Sequence, residues 1–304
     1  MAFTAKDVQA LREKTGCGMM DCKKALVECD GNMDAAVDYL REKGLASQAK
    51  KSGRIAAEGT VAAVVKNGVG ALVELNSETD FVANGDGFKA LAAEIAEIVA
   101  DVNPADMDAL LAASKDGTTV EEKVQELFLA IRENIKVRRF VRYEGKVVSY
   151  IHGGGKIGVL VNFDTDADAD NAELVACGKN VAMQIAAMNP LFLDEASVPA
   201  EVIEKEKSIM VAQMKEDPKM ANKPEAVLSK IVEGKMGKYY KENCLVDQQY
   251  VIDGDLTVGK YVESVGKAIG TPVKVASYVR FEKGEGIEKR VDDFAAEVAA
   301  MSGK

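Results

Sequence analysis

The chain has 304 residues, of which 47% are hydrophobic and 29% charged, and its formal net charge is −10. This length and composition are typical of a soluble globular protein with roughly two to four modules. The net negative charge disfavours binding to the phosphate backbone of a nucleic acid, so we expect a protein partner and no nucleic acid. The sequence shows no signal peptide and no apolar run approaching the roughly 18 residues of a membrane helix, which predicts a cytoplasmic protein. The five cysteines lack a paired C-x-x-C spacing, as is typical of free thiols.

Residues 1–54 are predicted to form a compact unit of three helices. Thr4 is a candidate N-cap for the first helix, and a second helix runs over residues 20–27. Apolar residues recur at helical spacing over residues 33–40, which predicts the third. Residues 50–54, with the sequence KKSGR, are predicted to be a solvated basic linker.

An internal repeat follows. Residues 58–76 and 144–164 each contain two β-rich runs joined by a glycine-containing turn. A helical stretch follows each copy, over residues 88–99 and 174–188, and another helical stretch at 120–135 lies between the copies. Two ββα units with antiparallel strands predict the α+β fold class and a core of two halves.

The pattern changes after residue 190. Residues 195–214 and 228–236 read as two amphipathic helices around a proline-bearing tip, which predicts an antiparallel coiled-coil hairpin projecting from the core. Residues 271–281 alternate like a strand that returns to the sheet, and residues 294–301 predict a terminal helix. The predicted N-terminal unit is therefore 1–54, the first half of the core is 55–142, and the second half begins at 143–189. The hairpin is 190–242, the chain returns to the second half over 243–283, and a C-terminal module is 284–304.

The residues offer no catalytic constellation. His152 is the one histidine, so a histidine pair that binds metal is excluded, and Cys22 and Cys29 share a helix face, which favours packing over ligation. His152 opens a glycine run that ends at Lys156. A phosphate cradle or an oxyanion hole would need a helix N-terminus or a nucleophile beside it, so we favour a flexible hairpin and keep a surface contact through His152 as the alternative. We expect no enzyme activity, metal or cofactor.

Two apolar pairs lie where water is expected. Phe81 and Val82 interrupt a polar loop over residues 76–87, and the residues alone favour a buried anchor over an exposed wedge for a partner's pocket. Met19 and Met20 are adjacent at the start of a helix, so they cannot both face one core. At least one is expected to be exposed on an adaptable binding surface.

Four segments of the sequence resemble bacterial elongation factor Ts: residues 12–26, Thr79-Asp80-Phe81-Val82, residues 152–161 and residues 281–289. The resemblance extends over essentially the whole chain. Cys17 is one departure, because the family more often has alanine there. The resemblance implies a ubiquitin-associated-like helical domain, a core of two subdomains, a coiled-coil hairpin and a C-terminal module.

The resemblance also implies a function, guanine-nucleotide exchange on elongation factor Tu. The residues that match Asp80 and Phe81 would enter the partner's G domain near its Mg²⁺, and GDP would be released. Met19 and Met20 would contact another helix of that domain, and His152 a different domain. The implied partner is elongation factor Tu, in its GDP-bound and nucleotide-free forms. Two rivals, an enzyme built on the glycine run and a nucleic-acid-binding factor, lack a second catalytic group and a basic surface respectively.

Overall fold

The computed structural model describes residues 3–216 and 223–288, and there the chain has an α+β fold, which confirms the predicted class. The helices are α1 (Ala5–Thr15), α2 (Met19–Glu28), α3 (Met33–Lys51), α4 (Asp80–Ala83), α5 (Asp86–Val102), α6 (Met107–Ala112), α7 (Val120–Ile131), α8 (Ala172–Met188), α9 (Ala200–Glu216), α10 (Glu225–Asn243) and α11 (Val258–Ile269). The strands are β1 (Glu58–Lys66), β2 (Val69–Ser77), β3 (Ser114–Lys115), β4 (Thr118–Thr119), β5 (Lys136–Glu144), β6 (Lys146–His152), β7 (Ile157–Asp164) and β8 (Lys274–Glu282).

The three predicted N-terminal helices are present as α1, α2 and α3. Thr4 and Asp7 form a capping box at the start of α1, which satisfies backbone donors that a helix otherwise leaves free. The apolar faces of the three helices pack into one cluster, to which α7 contributes Leu129. The linker predicted at residues 50–54 is wrong in part, because α3 continues through Lys51. Lysine is a good helix former and is favourable in a last turn, which accounts for the longer helix.

The first half of the core contains the predicted strand pair and helix. β1 and β2 form an antiparallel hairpin whose two turn residues, Asn67 and Gly68, both have positive φ. α5 packs on one face of this sheet. The helix predicted over residues 120–135 ends at Ile131, and residues 136–144 form β5, an unpredicted strand that pairs with β2. Three arginines on β5 obscure its alternation of apolar residues.

The second half repeats this plan. β7 pairs with β6 on one side and with β8 on the other, all antiparallel, so the predicted return of residues 271–281 to a sheet is confirmed. α8 and the unpredicted α11 cover this sheet. The β7–β8 ladder has a bulge between Asn162 and Phe163, and the β2–β5 ladder has one between Glu74 and Leu75. These positions align in the sequence repeat.

The two sheets pack against each other through Val61, Leu72, Val147, Leu160 and Phe281. Because α5 and α8 lie on the outer faces of their own sheets, the core has four layers in the order helix, sheet, sheet, helix. A surface residue on one half is therefore held in a fixed relation to the other half by apolar packing.

The glycine run forms the predicted hairpin between β6 and β7, and it also contacts the first sheet. The carbonyl of Gly155 accepts a hydrogen bond of 2.8 Å from the backbone N–H of Val61. Gly155 has a φ of +103°, and a Cβ there would overlap the hydroxyl of Thr60. Only glycine fits this approach without strain. The last glycine of the run is thus a packing residue between the two sheets.

α9 and α10 form the predicted pair of hairpin helices, and Met214, Val232 and Met236 are buried between them. The chain enters and leaves the pair at one place, where the N–H groups of Leu191 and Phe192 donate to the carbonyl of Asn243 at 2.9 and 3.1 Å. The two helices therefore run antiparallel. The tip at residues 217–222 and the predicted terminal helix at 294–301 lie outside the described residues.

A buried ion cluster, the Glu74 cluster, joins the first sheet to the end of β8. It consists of Glu74, Arg138, Arg139 and Gly284. The Glu74 side chain is fully buried and accepts hydrogen bonds from Arg138 at 3.0 Å, from Arg139 at 2.6 Å and from the N–H of Gly284 at 2.7 Å. The guanidinium of Arg139 also lies 4.2 Å from the ring centre of Phe281. Charge-assisted bonds to a buried carboxylate thus add to the apolar contact between the halves.

Candidate partner-binding surface

The predicted polar loop after β2 contains a single turn of helix, α4, so the loop prediction is wrong at residues 80–83. Thr79 is the N-cap, and its hydroxyl accepts a hydrogen bond of 3.4 Å from the N–H of Val82. We call residues Thr79–Ala83 the Phe81 turn. Val82 and Ala83 are buried in the core of the first half, and they attach the turn to the rest of the molecule.

Phe81 faces solvent, with 87% of its surface exposed, whereas Val82 is only 8% exposed. Successive side chains on a helix point about 100° apart, so burying Val82 directs its neighbour outward. The buried anchor favoured by the residues alone is therefore wrong for Phe81 and right for Val82. Asp80, the residue before Phe81, is exposed as well. The Phe81 turn thus presents an aromatic ring and a carboxylate together on a fixed backbone.

Glu133 holds the start of the Phe81 turn. One carboxylate oxygen accepts from the N–H of Thr79 at 3.0 Å, and the other accepts from the Thr79 hydroxyl at 2.7 Å. The Ser77 hydroxyl donates to the carbonyl of Thr79 at 3.0 Å. Glu133 is not identifiable from the sequence, because its partner lies 54 residues away and no local pattern marks the pair.

Met19 and Met20 are both exposed, 43% and 73% respectively, at the first turn of α2. The prediction that at least one of them faces water is confirmed. The next residue, Asp21, forms an ion pair of 2.9 Å with Arg132, which immediately precedes Glu133. The structure therefore connects the methionine pair and the Phe81 turn to the same short stretch of chain.

His152 lies elsewhere, at the end of β6 in the second half, where it is exposed. Its Nδ1 atom lies 2.9 Å from the hydroxyl of Tyr150, which orients the ring. The predicted site residues are thus placed on both halves of the core and on the N-terminal helices. Several separate contacts with one large partner suit this arrangement better than one enclosed pocket.

The cysteines are packing residues in the described structure. Cys22, which shares the N-terminal cluster, is buried, and Cys29 is half-buried at the end of α2. Burial raises the pKa of Cys177 to about 12 and that of Cys244 to about 11, so neither forms a thiolate near neutral pH. In residues 3–216 and 223–288, no group of three or more histidine, cysteine or acidic residues is arranged to hold a metal ion.

Comparison with known proteins decides the family. A model of the elongation factor TS family matches residues 78–285, more than half of the chain. A relative from Syntrophotalea carbinolica, itself named elongation factor Ts, is 51% identical over 307 residues, covering 99% of this chain and 100% of the relative. The chain belongs to the elongation factor Ts family. Elongation factors Ts from Clostridium perfringens and Magnetococcus marinus are 50% and 48% identical and likewise cover 99% of this chain.

The match to the elongation factor Ts family includes the Phe81 turn, Glu133, β5, the second sheet and the hairpin helices. The resemblance recognised in the sequence is therefore confirmed. None of the helices in the described part of the chain is long and apolar enough to cross a membrane.

Proposed function

We propose that this chain is a guanine-nucleotide exchange factor for elongation factor Tu and acts in translation elongation in the cytoplasm. One observation carries the proposal: a chain of the elongation factor Ts family presents Phe81, 87% exposed, beside an exposed Asp80 on a turn held by buried neighbours. An exposed aromatic ring on a fixed backbone is the kind of side chain that fills a partner's pocket. The chain itself would catalyse no chemical reaction and need no cofactor.

In the proposed mechanism, Asp80 and Phe81 enter the G domain of elongation factor Tu near its Mg²⁺. The exchange factor binds the GDP form and holds the nucleotide-free form more tightly, until GTP binds. By thermodynamic linkage, if the exchange factor binds the nucleotide-free form more tightly than the GDP form by a given ratio, it lowers the affinity for GDP by the same ratio. Each tenfold weakening corresponds to about 1.4 kcal/mol.

The separated contacts suit this mechanism. Met19 and Met20 would contact a second helix of the G domain, and His152 would contact another domain of the partner. A complex held at its outer contacts keeps the two proteins together while the Phe81 turn displaces the metal. The net charge of −10 agrees with a protein partner, and we propose binding to neither nucleic acid nor membrane.

We further propose the domain assignments that belong to this function. Residues 1–54 would be a ubiquitin-associated-like domain, and the two halves of the core would be subdomains divided at residues 55–142, 143–189 and 243–283. Residues 190–242 would be a coiled-coil hairpin, and 284–304 a C-terminal module. The cluster between α9 and α10 and the four-layer core support these divisions.

The test is Phe81→Ala, with release of fluorescently labelled GDP from elongation factor Tu followed by stopped flow. We expect the rate to fall about thirtyfold, because a hot-spot side chain contributes about 2 kcal/mol. The melting temperature should not change, since the ring is exposed. Val102→Ala is the matched control: Val102 is also exposed but lies at the far end of α5, about 24 Å along the helix axis. Equal rates for Phe81→Ala and the unmodified protein would remove the ring from the mechanism.

A further inference from the structure

We propose that Glu133 is the positioning residue of the Phe81 turn, and that residues Arg132–Asn134, the brace segment, set the turn's place relative to Met19 and Met20. The inference rests on the proposed function. It assigns a role to residues that do not themselves present a side chain to the partner. Its central observation is that both oxygens of the Glu133 carboxylate are used by one residue, Thr79.

The Phe81 turn needs such support from outside. Helix α4 has only four residues, and a single turn of helix is not stable on its own. The bond from Thr79 to the N–H of Val82 is long, at 3.4 Å, so the N-cap alone holds the turn weakly. Val82 and Ala83 fix its inner side by burial. Glu133 fixes the other end, where the chain leaves β2 and begins the turn.

The residues next to Glu133 extend the support toward the methionine pair. Arg132 ends α7 in the left-handed region, with a φ of +65°, a conformation that costs a non-glycine residue energy. Its guanidinium pairs with Asp21 at 2.9 Å, and its carbonyl accepts a hydrogen bond of 2.6 Å from Lys51 at the end of α3. These contacts attach the brace segment to two N-terminal helices.

Asn134, the third residue of the segment, is buried and supports the chain on both sides. Its side-chain amide donates to the carbonyls of Ser52 at 3.2 Å and Arg54 at 2.7 Å. Its backbone N–H donates to the carboxylate of Glu78 at 2.7 Å, one residue before the Phe81 turn. Three consecutive residues thus bind both the N-terminal helices and the start of the turn.

This arrangement has a mechanical consequence. When the ring is pushed into a partner, the reaction force falls on the Phe81 turn. If the Phe81 turn moved under this force, the ring could contact the partner without displacing its Mg²⁺. Glu133 resists this movement, so its loss should reduce the maximum rate of GDP release more than the affinity for elongation factor Tu.

The first test needs no partner. The chain contains no tryptophan, so Phe81→Trp introduces a single fluorescent reporter at the tip of the turn. In that background we expect Glu133→Ala to increase the fast local motion seen by time-resolved anisotropy. Glu126→Ala, which removes an exposed carboxylate from α7, the helix just before the brace segment, is the control and should leave the motion unchanged. Equal anisotropy decays for the Glu133 and Glu126 variants would overturn the proposal.

The second test measures GDP release from elongation factor Tu over a range of chain concentrations, with the natural Phe81. We expect Glu133→Ala to lower the maximum rate about tenfold and to change the half-saturating concentration less than threefold. Glu133→Gln should lose only about threefold, because its carbonyl can accept from the Thr79 N–H while its amide donates to the Thr79 hydroxyl. A loss confined to the half-saturating concentration would contradict a positioning role.

A double-mutant cycle separates positioning from general damage. Thr79→Val removes the hydroxyl that Glu133 binds, so its effect on the maximum rate should largely disappear in the Glu133→Ala background. Independent, multiplicative effects would overturn the proposal even if one variant folds poorly. If the unmodified chain fails to accelerate GDP release while Glu133→Ala still loosens residue 81, the proposed function fails and the positioning role stands.

Discussion

The Glu74 cluster makes a quantitative prediction about stability. Glu74→Gln keeps the size of the side chain and removes its charge. The amide can still accept hydrogen bonds at one position, but its NH₂ group then faces the guanidinium of Arg139, where a donor meets a donor. A bond to a charged group contributes roughly 1.5–3 kcal/mol, and breaking a fully buried pair costs roughly 3–5 kcal/mol. Because Arg138 and Arg139 retain 24% and 29% exposure, water compensates in part, and we expect a loss of about 2–3 kcal/mol.

The assay is urea unfolding followed by circular dichroism, at a pH near 7. Glu242→Gln is the matched control, since Glu242 makes an exposed ion pair of 3.5 Å with Lys238 on α10, and such pairs contribute less than about 1 kcal/mol. The same chemical change should therefore have very different costs at the two positions. If Glu74→Gln lowers the free energy of unfolding no more than Glu242→Gln does, the buried ion cluster does not stabilise the fold.

Two further predictions concern packing. Gly155→Ala should destabilise the fold by about 2 kcal/mol in thermal unfolding, because the new Cβ would overlap Thr60, whereas Gly154→Ala, with open space around it, should cost about 1 kcal/mol from its positive φ alone; equal losses would exclude the overlap as the cause. In thiol labelling of the native protein at pH 8, half-buried Cys29 should react and Cys177 should not. The raised pKa of Cys177, about 12, leaves roughly one Cys177 side chain in ten thousand as the thiolate. Rapid labelling of Cys177 would show that the apolar cluster around it opens readily.

The fold was predictable where the pattern is local. The three N-terminal helices, both strand pairs and the hairpin helices follow from periodicity within a single element. β5 was missed because three arginines interrupt its apolar positions, and two of them, Arg138 and Arg139, bind Glu74, which lies on another strand. A strand whose charged residues pair with a residue on another strand has a sequence pattern that resembles a loop or a solvated helix.

The candidate site was predictable in its composition but not in its geometry. The residues identify Phe81 and Val82 as misplaced in a polar loop, yet they cannot say which of the two is buried. That choice depends on a one-turn helix whose N-cap, Thr79, is held by Glu133. The exposed ring is therefore a property of two segments that lie far apart in sequence, and only the three-dimensional contacts reveal it.

The bond from Gly284 to Glu74 spans 210 residues of sequence, and this span has a consequence for biosynthesis. The ribosome completes the first sheet long before it makes the end of β8. Until then the Glu74 carboxylate lacks the hydrogen bond from Gly284. The face of the first sheet that packs against the second half remains exposed to solvent. Contacts so distant in sequence close late and slowly. We expect a nascent chain that stops before residue 284 to be an open, protease-sensitive intermediate, so that the halves reach full stability together.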